Sequence, residues 1–359
     1  MVQSAQQREM TEESSATSHL SVAMSTKEDD KTQTTGGPSK STSVSSNEEF
    51  YFQSAVVVIG VVGVAGNALI LYALVVSKQH KKHVLIVNQN VLDLFSCFFL
   101  AITYALKLSN LYLSGTLGYW LCIILLSENL VWWGTNGSIV NLAIITIDRY
   151  LKVVHPVWSR NYLRPWVIKL AMASAWFVGS VYNTIMVFVS SVVIDGVCYS
   201  YIIWEGQRER IILYGIWYIM SFYVIILVIF IFCYGRILAA IRRQARVMAQ
   251  TGSTTTQAQS HQIQSNVIKT MIIVSVLYAV TWLPGNVYGL LGVLGNNTTL
   301  IDSRYYAAMF IAFCSVSINP FIYATKFHPV KKVLIDMIPC MRTRVQPTDS
   351  NGTGTGNGN

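Results

Sequence analysis

Five polar side chains interrupt stretches of chain that are otherwise apolar enough for lipid: Asn67, Asp93, Ser138, Asn141 and Asn319. Each is expensive in hydrocarbon unless partnered. Asp93 costs most, because a lone carboxylate there needs a cation, a proton or several hydrogen-bond donors. Two chemistries meet that need. One is a protonated, hydrogen-bonded Asp that stitches helices together; the other is a small cation site, sodium by preference, completed by hydroxyl and amide oxygens. A second reactive stretch is Asp148-Arg149-Tyr150, which ends an apolar run and leads into a basic loop closed by His155-Pro156. An arginine beside an acid at that place is either a salt-bridged cap where water begins or a charge lock that opens to admit a partner. Intramembrane catalysis would need a His or carboxylate cluster, or a Ser/Lys dyad, within the membrane. Asp93 stands without such companions, so no enzyme is expected.

These residues can only be positioned by membrane helices. The 359 residues are 52% hydrophobic and 12% charged, with a mean hydropathy of +0.44; soluble chains carry about twice that charge. The net charge of +9 does not mark a nucleic-acid binder, because the basic residues lie in short loops between apolar runs rather than on one domain. Seven runs reach the roughly 20 residues a spanning helix needs: 54–77, 84–107, 119–151, 166–189, 211–241, 264–292 and 303–325. Open strands could not satisfy their backbone in lipid, so the fold class is an all-α membrane protein, a seven-transmembrane helix bundle. Internal repeats and broken helices in matching halves, the marks of a transporter, are not evident.

Lys and Arg set the orientation. Lys78, Lys81 and Lys82, then Lys152, Arg160 and Arg164, then Arg236, Arg242, Arg243 and Arg246 follow helices one, three and five. The opposite loops hold only Lys107, Arg208, Arg210 and Arg304. The N-terminus is therefore expected outside a plasma-membrane protein that crosses several times. Residues 1–53, Ser/Thr-rich with acidic patches, read as a disordered extracellular tail, and no cleavable signal peptide is visible. Residues 54–325 form the bundle. Residues 326–340 alternate basic and apolar positions and read as a short amphipathic helix on the inner lipid surface; 341–359 read as a disordered cytoplasmic tail. Cys122 and Cys198 both fall on the oxidising side, where a disulfide persists. Sequons at Asn296 and Asn297 mark glycosylation in the third outer loop, whereas the sequon at Asn136 is expected inside a helix and unmodified. Cys340 is a candidate for palmitoylation.

Taken in order, the motifs resemble the rhodopsin-like (class A) G-protein-coupled receptors over residues 54–340. They are Gly66-Asn67, Leu92-Asp93, Cys122, Asp148-Arg149-Tyr150, Trp176, Cys198, Tyr234, Trp282-Leu283-Pro284 and Asn319-Pro320-Phe321-Ile322-Tyr323. The resemblance implies an extracellular ligand, a heterotrimeric G protein and arrestin as partners, with no cofactor beyond an allosteric sodium held by Asp93, Ser138 and Asn319. It implies that Arg149, paired with Asp148 at rest, is released to the G protein when helix six swings out about Pro284. Tyr234 and Tyr323 then turn inward to support that state, and Trp282 lies beneath the ligand.

Three departures from the family pattern stand out. Helix five lacks the usual proline at Tyr223–Leu227 and is expected to be straightened. Tyr278 and Thr281 replace commoner residues in helix six. The interval from Cys122 to Arg149 is about two residues longer than usual in the family, which leaves the register at the top of helix three open. Amine receptors of this family carry an Asp in helix three; the matching position is Val131, and the only nearby acid is Glu128. Opsins carry a Lys in helix seven; the matching position is Phe313. The candidate pocket is aromatic and amide-rich: Glu128, Val131, Trp132, Tyr218, Trp282, Asn286 and Tyr306, with Trp133, Tyr182, Asn183, Tyr288 and Tyr305 shared between pocket and interfacial belt. A peptide is the preferred ligand, with a small neutral or amine-like molecule as the alternative.

Overall fold

A computed structural model of the chain describes residues 46–200, 208–251, 255–294 and 302–337. Seven helices within it are long and apolar enough to cross a bilayer: Asn47–Val76, Val84–Leu108, Gly115–Val154, Pro165–Ser190, Ile212–Met248, Ser265–Gly292 and Ser303–Lys326, numbered one to seven here. Their outer faces carry exposed Val58, Phe177, Ile231, Leu291 and Phe321, a distribution that lipid rather than water favours. Helix one begins eight residues earlier than its apolar run, as an α-helix over Ser46–Val76. Glu48 and Glu49 lie in its first turn, where acids complement the helix dipole. The expected tail boundary at residue 53 therefore moves back to the start of this turn. Residues 1–45, Asn296, Asn297, Cys340 and 341–359 lie outside the described residues.

Helix three explains the long interval between Cys122 and Arg149. Its α-helix breaks into a π turn over Cys122–Leu126, and Glu128 follows in the left-handed region at φ 61°. The regular helix then runs Asn129–Val154. The extra residues are absorbed above Asn129, so counting back from Arg149 holds through the rest of the helix. Helix five corrects another expectation. Without the proline it still carries a π turn, Met220–Val224, instead of running straight. Helix six supports that turn: the Tyr278 hydroxyl donates to the Phe222 carbonyl, and Tyr223 returns a bond to the Ala279 carbonyl at 2.9 Å. The hydroxyl of Tyr278, an oddity in the sequence, thus serves a carbonyl of the irregular turn.

Helices three and four approach at Gly137 and Gly179; a Cβ on Gly179 would meet the Gly137 nitrogen at 2.7 Å. Only small residues permit that contact between membrane helices. Helix seven starts on a capping carboxylate: Asp302 accepts from the backbone of Arg304 and Tyr305, both at 3.0 Å, satisfying orphan donors of the first turn. A two-stranded hairpin, β1 (Val192–Ile194) and β2 (Val197–Tyr199), follows helix four. Asp195 and Gly196, both at positive φ, make the two-residue turn that such a hairpin demands. Val193 pairs with Cys198, which brings Cys198 onto Cys122 in a disulfide with Cα atoms 5.3 Å apart. A short helix, His328–Met337, follows helix seven, with Phe327 at the junction and Val330 buried while Lys331 and Lys332 stay exposed.

Candidate functional site

Three groups of residues, at three depths of the bundle, carry the chemistry. At mid-depth Asp93 is fully buried. Ser138 donates to its Oδ1 at 2.5 Å and Asn319 to its Oδ2 at 2.8 Å. Three helices therefore converge on one carboxylate, as the sequence implies. The donor set around it does not fit a sodium ion. Sodium needs oxygen lone pairs, yet Asn319 presents its amide nitrogen, and so does Gln89, at 3.3 and 3.4 Å from the two carboxylate oxygens. Gln89 did not figure among the sequence candidates; its position one helical turn before Asp93 was the available signal. A cavity of about 20 Å³ beside this cluster is lined by Gln89, Ser138, Trp282, Ser315 and Asn319, which is room for one water. Trp282 closes it, donating its indole N–H to Ser315 at 3.1 Å.

Toward the helix-three C-terminus lies the Asp148-Arg149-Tyr150 stretch. The expected pairing of Arg149 with Asp148 is long, 3.9 Å from Nε. Lys152, one turn on, takes the carboxylate instead at 2.8 and 2.9 Å. Arg149 is thereby left largely buried, its Nε without a hydrogen-bond partner among the described residues. Tyr150 turns outward to His155, 3.2 Å away. Above Arg149, Tyr234 of helix five bridges helix three and helix six, its hydroxyl 3.0 Å from both Thr146 and Ser275. Tyr323 of helix seven is fully buried with its hydroxyl unpartnered among the described residues. Pro320 follows Asn319 inside helix seven and Pro284 sits inside helix six. Neither proline has an N–H to give to the carbonyl four residues back, so each is a point of weakness in its helix. His83, between helices one and two, has its pKa lowered from 6.5 to about 4, by burial first and then by the charge of Arg149.

At the disulfide end a cavity of about 450 Å³ opens, lined among others by Glu49, Phe52, Tyr104, Lys107, Glu128, Cys198, Tyr305 and Tyr306. Of the seven expected pocket residues, Glu128 and Tyr306 face it. The others sit deeper or elsewhere. Val131 is buried among Val56, Leu100, Tyr104 and Phe313. Trp132 packs against Trp282, Tyr218 and Phe313. Tyr218 donates to Asn136 at 3.2 Å, and Asn286 turns back to the Trp282 carbonyl at 2.8 Å. Asn136 itself is fully buried, so its sequon is out of reach of a glycosylating enzyme. Glu128 is already engaged: Lys107 pairs with it at 2.5 Å, Tyr104 donates at 2.9 Å and Trp132 at 3.2 Å. Phe52, Tyr104 and Lys107 were absent from the sequence candidates, because the cavity is walled by the extra turns of helix one and the end of helix two.

Comparison with known proteins matches this geometry. The family model described as 7 transmembrane receptor (rhodopsin family) matches residues 66–323. Melanopsin-A of Gadus morhua is 25% identical over 298 residues, covering 79% of this chain and 52% of that protein. The Substance-K receptor of Homo sapiens is 25% identical over 277 residues, covering 74% of this chain and 67% of the receptor. The chain thus spans about half the length of the melanopsin. Squid rhodopsin superposes with a TM-score of 0.67 at 16% identity, covering 85% of this chain and 89% of that one, which is a likeness of fold. With seven apolar helices, the helix-three disulfide and a family match over most of its length, the chain belongs to the rhodopsin family of seven-transmembrane receptors.

Proposed function

We propose that this protein sits in the plasma membrane with its disulfide end outward, binds an extracellular ligand there, by preference a peptide, and activates a heterotrimeric G protein through movement of helix six. The observation that carries the ligand reading is the outer cavity. It is large, aromatic, and its one helix-three acid is already neutralised by Lys107. A free ammonium would have to displace that lysine, which disfavours an amine. Phe313, buried against Tyr104 and Trp132, holds the place where an opsin carries its lysine, and helix seven has no lysine before its last residue, Lys326, so a Schiff base with retinal has no partner at that position. One of the relatives is named for a peptide, substance K, in keeping with this preference.

On the other side, Arg149 is held within the bundle under Tyr234, whose hydroxyl ties helix six to helix three. A ligand that favours the packing with helix six displaced shifts the population toward it, and G-protein binding reciprocates. A peptide library screened on cells that express the receptor with promiscuous G proteins tests this reading. Peptides are expected to trigger nucleotide exchange, which Arg149→Ala abolishes without loss of surface receptor. Exchange that survives Arg149→Ala refutes the role given to the arginine, and a response confined to amines refutes the ligand class.

A further inference from the structure

We propose that Asp93 is served by a fixed amide donor that excludes sodium, and that a chain of hydrogen bonds beginning at Trp176 sets which way that donor points. The Trp176 indole N–H can only donate. It gives to Asn88 Oδ1 at 3.0 Å, which turns the Asn88 amide nitrogen toward Asn141 Oδ1, 2.9 Å away. Asn141 then gives its own nitrogen to the Leu85 carbonyl at 3.1 Å and to Gln89 Oε1 at 2.8 Å. Gln89 has its oxygen engaged, so its nitrogen faces Asp93 and the Ser138 hydroxyl. The chain is anchored by one group that only donates, the indole, and one that only accepts, the Leu85 carbonyl. Inverting any of the three amides would set oxygen against oxygen or N–H against N–H. Asn88, Gln89 and Asn141 are at most 5% exposed, so water cannot repair such a mismatch, and an unmet buried polar group is costly.

A sodium ion entering this site must evict the Gln89 nitrogen. Rotating the amide to offer its oxygen breaks the bond to Asn141 and with it the chain back to Trp176. The inference concerns the resting bundle alone and stands apart from the identity of the ligand and of the G protein.

The test uses the full-length receptor in lipid nanodiscs, unfolded thermally in sodium chloride and in N-methylglucamine chloride at matched ionic strength. Wild type is expected to show the same Tm in both salts. Gln89→Leu removes the donor and leaves Asp93. It is expected to gain a sodium-specific rise of about 2–4 °C at tenfold excess of ion over its Kd, and adding Asp93→Asn removes the gain. A sodium-specific rise in wild type, or none in Gln89→Leu, overturns the proposal. Should Gln89→Leu fail to fold, Asn141→Leu carries the same test, because it removes the donor that holds the Gln89 oxygen and frees that amide to invert: a sodium-specific rise supports the proposal and its absence overturns it.

Discussion

Replacing Lys107 by Met removes the cation that pairs with Glu128 while keeping most of the stem that packs at the cavity wall. Their separation of 2.5 Å corresponds to a gross attraction of about 7 kcal/mol at an effective dielectric of 20. Desolvation and the ordering of the lysine stem offset most of it. Both side chains are only partly exposed, 27% for Lys107 and 17% for Glu128, so the loss lies between the surface and buried limits, about 2 kcal/mol. For a bundle of this size that lowers Tm by about 3–5 °C. Glu128→Gln alone is expected to cost a similar amount, because Lys107 then lacks its acceptor. The double variant should cost less than the sum, with a coupling of about 1–2 kcal/mol. The assay is thermal unfolding of all four proteins, repeated with phenethylamine. Lys107→Met exposes an unpaired acid to the cavity and should be stabilised by the amine, whereas wild type should not respond. Additive losses, or equal amine stabilisation of wild type, would refute the claim that Glu128 is satisfied from within.

Tyr234→Phe deletes the hydroxyl that joins Thr146 and Ser275 and leaves both to find new partners. It is expected to weaken the resting packing by about 1 kcal/mol and to raise basal nucleotide exchange severalfold; a fall in basal exchange would contradict that role. Reduction of Cys122–Cys198, separated by 76 residues, releases a loop worth about 4.5 kcal/mol in the chain-entropy model. Peptide binding and Tm should both fall on reduction, and free thiols at both positions in surface receptor would sink the pairing. For His83, the folded pKa of about 4 lies below the ordinary 6.5. The unfolded chain therefore binds the extra proton first as pH falls. Stability should be full above pH 6.5 and decline toward pH 4, and His83→Gln should flatten that part of the pH–Tm curve.

Much of this was legible in the residues because the membrane imposes simple rules. Apolar length revealed seven helices, and the cost of burying polar groups singled out Asp93, Ser138 and Asn319 before their contacts were known. What stayed hidden was local irregularity. The excess between Cys122 and Arg149 was countable, but only backbone geometry located it in a π turn followed by Glu128 in a left-handed conformation. The missing proline of helix five misled, since Tyr278 supports the same distortion by a hydrogen bond from a neighbouring helix. Gln89 and Asn88 do not stand out in the sequence, because an uncharged amide in an apolar run signals little until its partners are known. Lys107 reads as a loop charge in the sequence, because its partner Glu128 is 21 residues away. The Asp195-Gly196 pair is a strong turn signal in the sequence, but its two strands are only three residues each, too short to show a period of their own.

The proposed signalling requires a second packing of the bundle, in which helix six moves away and Arg149 meets a G protein. Double electron–electron resonance between spin labels at Lys81, beside helix one, and Lys269, an exposed residue of helix six, measures that movement directly. In nanodiscs with saturating nucleotide-free G protein, a population at longer distance is expected, and Arg149→Ala should suppress it. An unchanged distance distribution with members of every G-protein class would contradict the account.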